Sequence, residues 1–162
     1  MPDFEAHGVL RVTDSPEQTQ QLGETLGRLI RPGDVICLAG ELGTGKTTLA
    51  KGIGLGWGAL EVVNSPTFVF VNQYSRLDGQ RLYHVDAYRL KAASDAESIA
   101  LDDLLADKNG ALLLEWPERV VKALPSERLW IELSWVADHQ RQLHFTGNGQ
   151  RFSELLQHLG IT

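Results

Sequence analysis

A glycine-rich stretch carries the clearest chemical signature in the sequence. Residues 40–47 read GELGTGKT, which fits the phosphate-binding pattern G-x-x-x-x-G-K-[ST]. Glycines let consecutive backbone N–H groups point at phosphate oxygens, and a helix that follows adds the positive end of its dipole. We expect Lys46 to contact the β- and γ-phosphates, Thr47 to bind Mg²⁺ and Thr48 to contact a further phosphate. The stretch therefore predicts a nucleotide site.

Two acidic residues follow apolar segments and are candidates to complete such a site. Asp86 ends the segment 81–86, and Glu115 follows the apolar run 111–114. Open α/β sheets bind ligands at the carboxyl ends of their strands, where phosphoryl transfer needs a carboxylate near Mg²⁺ and a group that orients water. Structural roles stay open as well: Asp86 as the cap of a turn, and Glu115 as the partner of a surface arginine. His84 shares a strand face with Asp86 and is either packed or functional; these two residues are too few for a transition-metal site.

The elements around these residues must bring them together at one edge of a sheet. Residues 34–39 form a continuous apolar run, typical of a strand buried on both faces of a parallel sheet, and lead directly into the glycine-rich stretch. Helical spacing begins at Lys46 and fades at about Ile53, where glycines recur up to residue 58. We further predict a hairpin of strands 67–74 and 81–86, a helix at about 94–106, a strand at 111–114, a second hairpin of strands 128–136 and 140–146, and a closing helix at 151–159.

A first helix precedes the buried strand. Ser15 is predicted as its N-cap and Pro16 as its first residue, with Gln18 placed to complete a capping box. An apolar stripe follows at Leu22, Leu26, Leu29 and Ile30. The helix is expected to end at residues 31–33, where the sequence is Arg-Pro-Gly.

Length and composition limit the fold and the class of function. The chain has 162 residues, and no linker or internal repeat divides it, so we expect one domain over residues 1–162. We expect an α/β fold: a P-loop NTPase-like three-layer sandwich whose central parallel strands are extended by antiparallel hairpins. A net charge of −6 argues against a freestanding nucleic-acid binder. Cys37 has no disulfide partner and no long apolar run occurs, so we expect a cytoplasmic protein that does not engage a membrane.

Two other segments allow more than one interpretation. Ser65-Pro66-Thr67-Phe68 lies between the predicted phosphate-site helix and a strand, and is either a nucleotide-sensing loop or an ordinary turn. Trp116 and Pro117 follow Glu115 directly, so the chain leaves the strand there. The indole of Trp116 is interpreted as core, as a wall of the nucleotide site or as an anchor for a partner protein.

Four motifs, in order, resemble the TsaE (YjeE) family of bacterial P-loop ATPases. They are the phosphate-binding stretch at 40–48, Ser65-Pro66-Thr67-Phe68, the H-x-D-x-Y-R segment at 84–89, and Leu114-Glu115-Trp116. Strong similarity covers about residues 34–119. Ala100 departs from the family, which usually has glycine there.

The resemblance implies a function and a set of site residues. TsaE-like proteins act with TsaB and TsaD partners in the threonylcarbamoyladenosine modification of tRNA next to the anticodon, so this chain would meet tRNA only through its partners. Thr47 and Glu115 would bind Mg²⁺, Asp86 would face the γ-phosphate or its water, and Pro16 would lie near the adenine. The implied nucleotide-binding residues are Leu42, Gly43, Thr44, Gly45, Lys46 and Thr47, and the further nucleotide candidates are Glu118 and Arg141.

The leading hypothesis is a Mg²⁺-dependent ATPase with Lys46, Asp86 and Glu115 as catalytic residues. No arginine finger can be assigned, so we expect slow hydrolysis by the chain alone and faster hydrolysis with its partners. ATP is favoured over GTP because no guanine-reading N-K-x-D motif occurs. The alternatives are a small-molecule kinase, although the arginines are scattered rather than gathered in a lid, and a non-catalytic nucleotide sensor.

Overall fold

The strands form one seven-stranded sheet in the order β1-β7-β6-β2-β5-β4-β3. A computed structural model describes residues 7–63, 71–88 and 101–159. Its strands are β1 (His7–Thr13), β2 (Val35–Ala39), β3 (Val71–Ser75), β4 (Arg81–Asp86), β5 (Gly110–Glu115), β6 (Arg128–Trp135) and β7 (Arg141–Asn148). Its helices are α1 (Pro16–Leu29), α2 (Lys46–Trp57), α3 (Leu101–Leu105) and α4 (Gln150–His158), with 3₁₀ turns at Pro117–Arg119 and Val121–Ala123.

The centre of the sheet is parallel and its edges are antiparallel. β2 pairs in parallel with β5 and β6, and β4 pairs in parallel with β5. The hairpins β3–β4 and β6–β7 are antiparallel, as is β1 on β7. All five residues of β2 are buried, as its continuous apolar sequence predicts. The predicted fold class and the antiparallel pairing of both hairpins are therefore confirmed.

Packed side chains cover both faces of the central strands. On one face, Leu26 of α1, Ile53 of α2 and Phe152 of α4 belong to one large core cluster. On the other face, Leu101 of α3 and Val120 of the 3₁₀ segment belong to a second, smaller cluster. Helix layer, sheet and helix layer make the predicted three-layer sandwich.

The first helix begins where the sequence predicts and has the predicted N-cap, Ser15, but the side chain of Gln18 bonds a different residue from the one expected. Ser15 Oγ accepts a hydrogen bond from the Gln18 backbone N–H at 3.1 Å. The predicted capping box would turn Gln18 back to Ser15, but Gln18 Oε1 accepts from the Asp14 backbone N–H at 2.7 Å. That part of the prediction was wrong by one residue. Leu22, Leu26 and Ile30 of the predicted stripe are buried.

Helix α2 is longer than predicted because its glycines serve packing. The helix continues to Trp57, through the stretch where we expected it to fade. A Cβ at Gly52 would overlap the Gln20 carbonyl of α1, and a Cβ at Gly56 would overlap the Glu24 carbonyl. The missing side chains let the two helix backbones lie in direct contact, so here glycine is an adaptation to close approach, not a helix stop.

Strand β1 was not predicted. It pairs with all but the last residue of β7, from His7 opposite Gly147 to Thr13 opposite Arg141. Leu10 and Val12 are about half exposed on this edge strand, so the sequence shows no clear alternation of buried and exposed residues.

Several predicted features lie outside the described residues. They are the Ser65–Phe68 segment, strand residues 67–70, Arg89, and the helical residues 94–100 with Ala100. Within the described ranges, no helix combines the length and the apolar character needed to cross a membrane.

Candidate functional site

The phosphate-binding stretch forms a loop between the end of β2 and the start of α2. Gly40 has a φ of 138°, and a Cβ on it would overlap the Leu133 carbonyl and lie 2.9 Å from Thr44 Oγ1. Gly43 and Gly45 have φ values of 79° and 101°, which side chains rarely adopt. Thr44 Oγ1 donates to the Glu41 carbonyl at 2.8 Å and closes the loop internally. The strand–loop–helix arrangement that the motif requires is present.

The Lys46 ammonium is held by the loop's own carbonyl groups. Only 6% of Lys46 is exposed, and its Nζ donates to the carbonyls of Gly40 and Glu41, the latter at 3.0 Å. Nζ also lies 4.1 Å from the centroid of a Trp116 ring. Burial lowers the pKa of Lys46, and the negative charges of Glu115, Glu118, Asp86 and Glu41 oppose that shift. The charge is thus desolvated beside weak acceptors, a setting in which phosphate oxygens would be stronger partners.

Asp86 and Glu115 end neighbouring parallel strands and are direct register partners. Glu115 is 3% exposed, and its Oε2 lies 2.7 Å from His84 Nε2. Asp86 Oδ1 accepts the Tyr88 backbone N–H at 2.9 Å. Burial raises the pKa of Asp86, and the nearby charge of Glu115 raises it further. The turn-capping role left open for Asp86 is therefore present, and Glu115 contacts His84 within the described residues.

Trp116 lies at the rim of the site. Its φ is 58°, a left-handed conformation that is costly for a bulky residue, and Pro117 follows it. Its ring lies 4.8 Å from the Tyr88 ring, centroid to centroid, and contacts the Lys46 ammonium. Of the three interpretations of Trp116, this placement favours a wall of the site. Tyr88 was not predicted as a site residue, although its H-x-D-x-Y position two residues after Asp86 is a usable signal.

A cleft of about 50 Å³ opens beside the loop. It is lined by Pro16, Thr19, Gly45, Thr48, Asp138, His139 and Arg141. Arg141 Nη1 donates to the Ala137 carbonyl at 3.1 Å, and Nη2 reaches the Gly43 carbonyl at 3.5 Å. The structure thus brings Pro16 and Arg141, which are 125 positions apart in the sequence, to one cleft next to the loop.

Three residues that line this cleft were not predicted. Thr19 lies one helical turn after Pro16 on α1, so its spacing from Pro16 was an available signal. Asp138 and His139 lie in the β6–β7 loop, at the carboxyl end of a strand parallel to β2. Their place in the sheet could be inferred only after that pairing was known.

The remaining predicted site residues are mostly exposed. Leu42, at the tip of the loop, is 70% exposed, and Thr47 is exposed in the first turn of α2. Glu118 is exposed in the 3₁₀ turn after Trp116, close enough for its charge to raise the pKa of Lys46. Glu118 therefore lies near the phosphate-binding loop.

The donor groups at this edge fit Mg²⁺ better than a transition metal. In the described part of the chain, no cluster of three or more His, Cys, Asp or Glu residues could hold a metal ion by itself. Mg²⁺ takes oxygen ligands and is usually held by one or two carboxylates together with water and substrate phosphates. The Glu115 carboxylate and the Thr47 hydroxyl are oxygen donors of this kind.

Comparisons with known proteins agree on one family. A family model described as "Threonylcarbamoyl adenosine biosynthesis protein TsaE" matches residues 13–143. The tRNA threonylcarbamoyladenosine biosynthesis protein TsaE of Bacillus subtilis (strain 168) is 38% identical over 148 residues, covering 91% of this chain and 90% of that protein. The protein of the same name from Streptomyces coelicolor is 41% identical over 140 residues, covering 83% and 93%. The crystal structure of Bacillus subtilis YdiB superposes with a TM-score of 0.79 at 31% identity and covers 96% of this chain and 95% of that one.

Proposed function

Because the chain belongs to the TsaE family of threonylcarbamoyl adenosine biosynthesis proteins, we propose that it is a Mg²⁺-dependent ATPase that works with TsaB and TsaD. Membership gives the role in tRNA threonylcarbamoyladenosine biosynthesis; the ATP chemistry and the partners are our proposal. One observation carries it: the phosphate-binding loop leads into a helix whose Lys46 lies beside the carboxylates that end β4 and β5. That arrangement supports binding of a triphosphate.

Each residue at the loop has a distinct part in the proposed reaction. Backbone N–H groups of residues 42–47 bind the phosphates, and Lys46 leaves the carbonyls of Gly40 and Glu41 to contact the β- and γ-phosphates. Thr48 adds a phosphate contact at the mouth of the cleft. Asp86 accepts a hydrogen bond from the attacking water and orients it toward the γ-phosphate.

Thr47 and Glu115 are the residues that would hold Mg²⁺. When bound, Mg²⁺ would supply positive charge to the phosphate oxygens and stabilise the charge that develops there. Glu115 is suited to this because it is buried at the end of β5 and fixed by His84. Burial raises the pKa of Asp86, and the positive charge of Lys46 partly offsets that shift. A bound Mg²⁺ nearby would favour the ionised carboxylate further.

The base of the nucleotide would occupy the small cleft on the other side of the loop. Pro16 and Arg141 line it, and Arg141 also bonds the Gly43 carbonyl. Arg141 joins the base site to the phosphate loop in this proposal. Glu118 contributes from the opposite side, near Lys46.

The charge of the chain supports the proposed partners. With a net charge of −6, the chain would meet tRNA through TsaB and TsaD and not directly. We propose that residues 1–162 act as one domain in the cytoplasm, and that partner binding speeds ATP hydrolysis. Arg81 and Arg151 bond carboxylates at the opposite edge of the sheet, which disfavours a kinase lid built from them.

The role in tRNA modification is tested by gene deletion and mass spectrometry of bulk tRNA nucleosides. We expect threonylcarbamoyladenosine to fall on deletion, to return with the wild-type gene and to stay low with Lys46→Ala or Glu115→Ala. Lys51→Ala is the matched control, because Lys51 is exposed on the same helix, and it should restore the nucleoside. Rescue by Glu115→Ala would favour a nucleotide sensor over an ATPase.

The ATPase reaction is tested by single-turnover cleavage of ATP, with and without TsaB and TsaD. We expect slow release of phosphate alone and faster release with both partners. The same rate with and without partners would contradict the coupling. Phosphate transfer to a metabolite at a higher rate than to water would favour the kinase instead.

A further inference from the structure

His84 is an unusual residue for the core position that it occupies. It lies on β4 with no exposed surface, on the face of the sheet that carries Leu82 and Leu113. An apolar side chain would fill this position without burying polar atoms. Packing alone therefore does not explain a histidine here.

The two ring nitrogens of His84 differ sharply in their partners. Nε2 lies 2.7 Å from Glu115 Oε2, a short distance for a nitrogen donor and typical of a bond to a charged acceptor. Nδ1 is buried and has no hydrogen-bond partner in the described part of the chain. An ionised carboxylate oxygen only accepts, so the proton of this contact is on Nε2. Among the described residues, the imidazole of His84 therefore makes its hydrogen bond to Glu115.

Glu115 needs such a support because of its neighbour. Asp86 is its register partner on the adjacent strand, so two carboxylates stand side by side at this edge. Repulsion between them favours conformations in which the carboxylates turn apart. His84, which follows Leu82 on β4 and pairs in register with Leu113 of β5, places a donor 2.7 Å from Glu115 Oε2, and such a bond would favour one orientation of the carboxylate.

We propose that His84 is a positioning residue that holds Glu115 in the orientation needed to bind Mg²⁺. The inference rests on the proposed function, since it assumes that Glu115 is a Mg²⁺ ligand. The H-x-D pair then has two tasks on one strand: His84 orients the ligand supplied by β5, and Asp86 faces the reacting phosphate. Outer hydrogen bonds to metal-binding carboxylates commonly control metal affinity.

Variants of His84 whose side chains differ in length distinguish the positioning of Glu115 from a role in packing. In His84→Gln the amide nitrogen falls near the place of Nε2, so the donor to Glu115 is kept. In His84→Asn the same amide is too short to reach Glu115, and in His84→Leu the volume is filled without a donor. The asparagine and glutamine variants bury the same chemical group, which makes them matched controls if the leucine variant is unstable.

The experiment is calorimetric titration of ADP into the whole chain, in EDTA and across a series of Mg²⁺ concentrations. For His84→Leu and His84→Asn we expect a rise of about 10- to 100-fold in the Mg²⁺ concentration that gives half of the maximal change in ADP affinity. Affinity for ADP in EDTA should stay at the wild-type value, because the phosphate loop is intact. His84→Gln should recover most of the Mg²⁺ dependence, and the Mg²⁺ dependence of ATP cleavage should follow the same order.

Two results would overturn the inference. One is an unchanged Mg²⁺ dependence in folded His84→Leu and His84→Asn. The other is an equal loss of ADP affinity with and without Mg²⁺, with no recovery in His84→Gln, which would mean that His84 only supports the fold. Failure of the proposed function looks different, because then the wild-type chain itself would show no effect of Mg²⁺ on nucleotide binding.

Discussion

The parallel strands carry charged residues at both ends. At one end these residues bond to opposite charges, whereas at the other end two carboxylates lie side by side. Asp34 and Arg81 stand at the starts of β2 and β4, and each is bonded to an opposite charge. At the other edge, Asp86 ends β4 beside Glu115, and Lys46 bonds only neutral carbonyls among its described hydrogen bonds. We call these the starting edge and the loop edge.

Each carboxylate at the starting edge accepts hydrogen bonds from an arginine and from a further donor. Asp34 is 4% exposed and binds Arg151 through both oxygens, at 3.0 and 2.7 Å, and also accepts the Arg31 backbone N–H at 2.8 Å. Asp107 binds Arg81 through both oxygens and accepts the Tyr83 hydroxyl. The hydrogen bonds from Arg81 and Tyr83 hold the pKa of Asp107 well below its usual range. These contacts stabilise the ionised form.

At the loop edge, burial disfavours the ionised forms. It lowers the pKa of Lys46 and raises that of Asp86. His84 Nδ1 adds a buried polar atom without a partner in the described ranges. Opposite charges thus stabilise the ionised groups at the starting edge, whereas burial disfavours the ionised forms of Lys46 and Asp86 at the loop edge, a pattern expected of a ligand site.

The largest expected effect is on stability, at the starting edge. Arg151→Met leaves Asp34 buried without its cation and should lower the free energy of unfolding by about 3–5 kcal/mol. Chemical denaturation measures this loss. Calorimetry under conditions where the variant is folded should give wild-type affinity for Mg²⁺–ADP.

A double variant checks the cause of that loss. Adding Asp34→Asn to Arg151→Met removes the unpaired charge and should restore part of the stability. If the double variant were less stable than Arg151→Met alone, the buried charge would not be the cause.

Removing the charge at the loop edge should instead affect the reaction. Lys46→Met keeps the apolar stem and should slow ATP cleavage by about 10²–10³-fold, the size typical for losing one group that stabilises developing charge. The melting temperature should not fall, because burial already disfavours the ammonium. Lys51→Met is the control in both assays. A fall in stability as large as that of Arg151→Met would assign Lys46 to the starting-edge class.

Alanine substitutions at two glycines with similar positive φ values, one at each edge, test where the cost of backbone strain appears. Gly43 in the loop and Gly33 before β2 have φ values of 79° and 90°, and nothing lies within 4 Å of a Cβ on either. Alanine in such a conformation costs about 1–2 kcal/mol. In Gly43→Ala the free loop can relax, so the cost should appear as about 5- to 30-fold weaker binding of Mg²⁺–ADP. Gly33→Ala should lower the free energy of unfolding and leave the affinity unchanged; equal effects on both quantities in both variants would remove the distinction between the edges.

The loop edge was largely predictable from the sequence and the helix packing was not. Residues 40–47 specify their structure locally, because the strand, the glycines and the helix are adjacent in the chain. The glycines of α2 depend instead on the carbonyls of Gln20 and Glu24, about 30 residues away in sequence. Composition alone made them resemble a helix stop, since glycine weakens an isolated helix.

Sheet neighbours explain the other omissions. Asp86 and Glu115 were recognisable because each directly ends an apolar strand, yet their side-by-side register became known only with the β4–β5 pairing. The bond from His84 to Glu115 and the place of Asp138 and His139 at the cleft depend on the same kind of pairing. Strand β1 is defined by β7 at the far end of the chain, so its own residues hold little signal.

The smallest expected effect is a dependence of stability on pH at the starting edge. The pKa of Asp107 is lowered in the folded chain, so its contribution to stability is complete above the unfolded value of about 3.9 and is lost as the pH falls through the folded value. Asp107→Asn should therefore be less stable than wild type by a constant amount between pH 7 and pH 5, and the difference should shrink below about pH 4. Denaturant unfolding at a series of pH values measures it, with Asp102→Asn, an exposed residue of α3, as the control for losing one carboxylate. A difference that grew as the pH fell would mean that Asp107 is held in its neutral form, and the starting edge would then resemble the loop edge in the way it treats its charges.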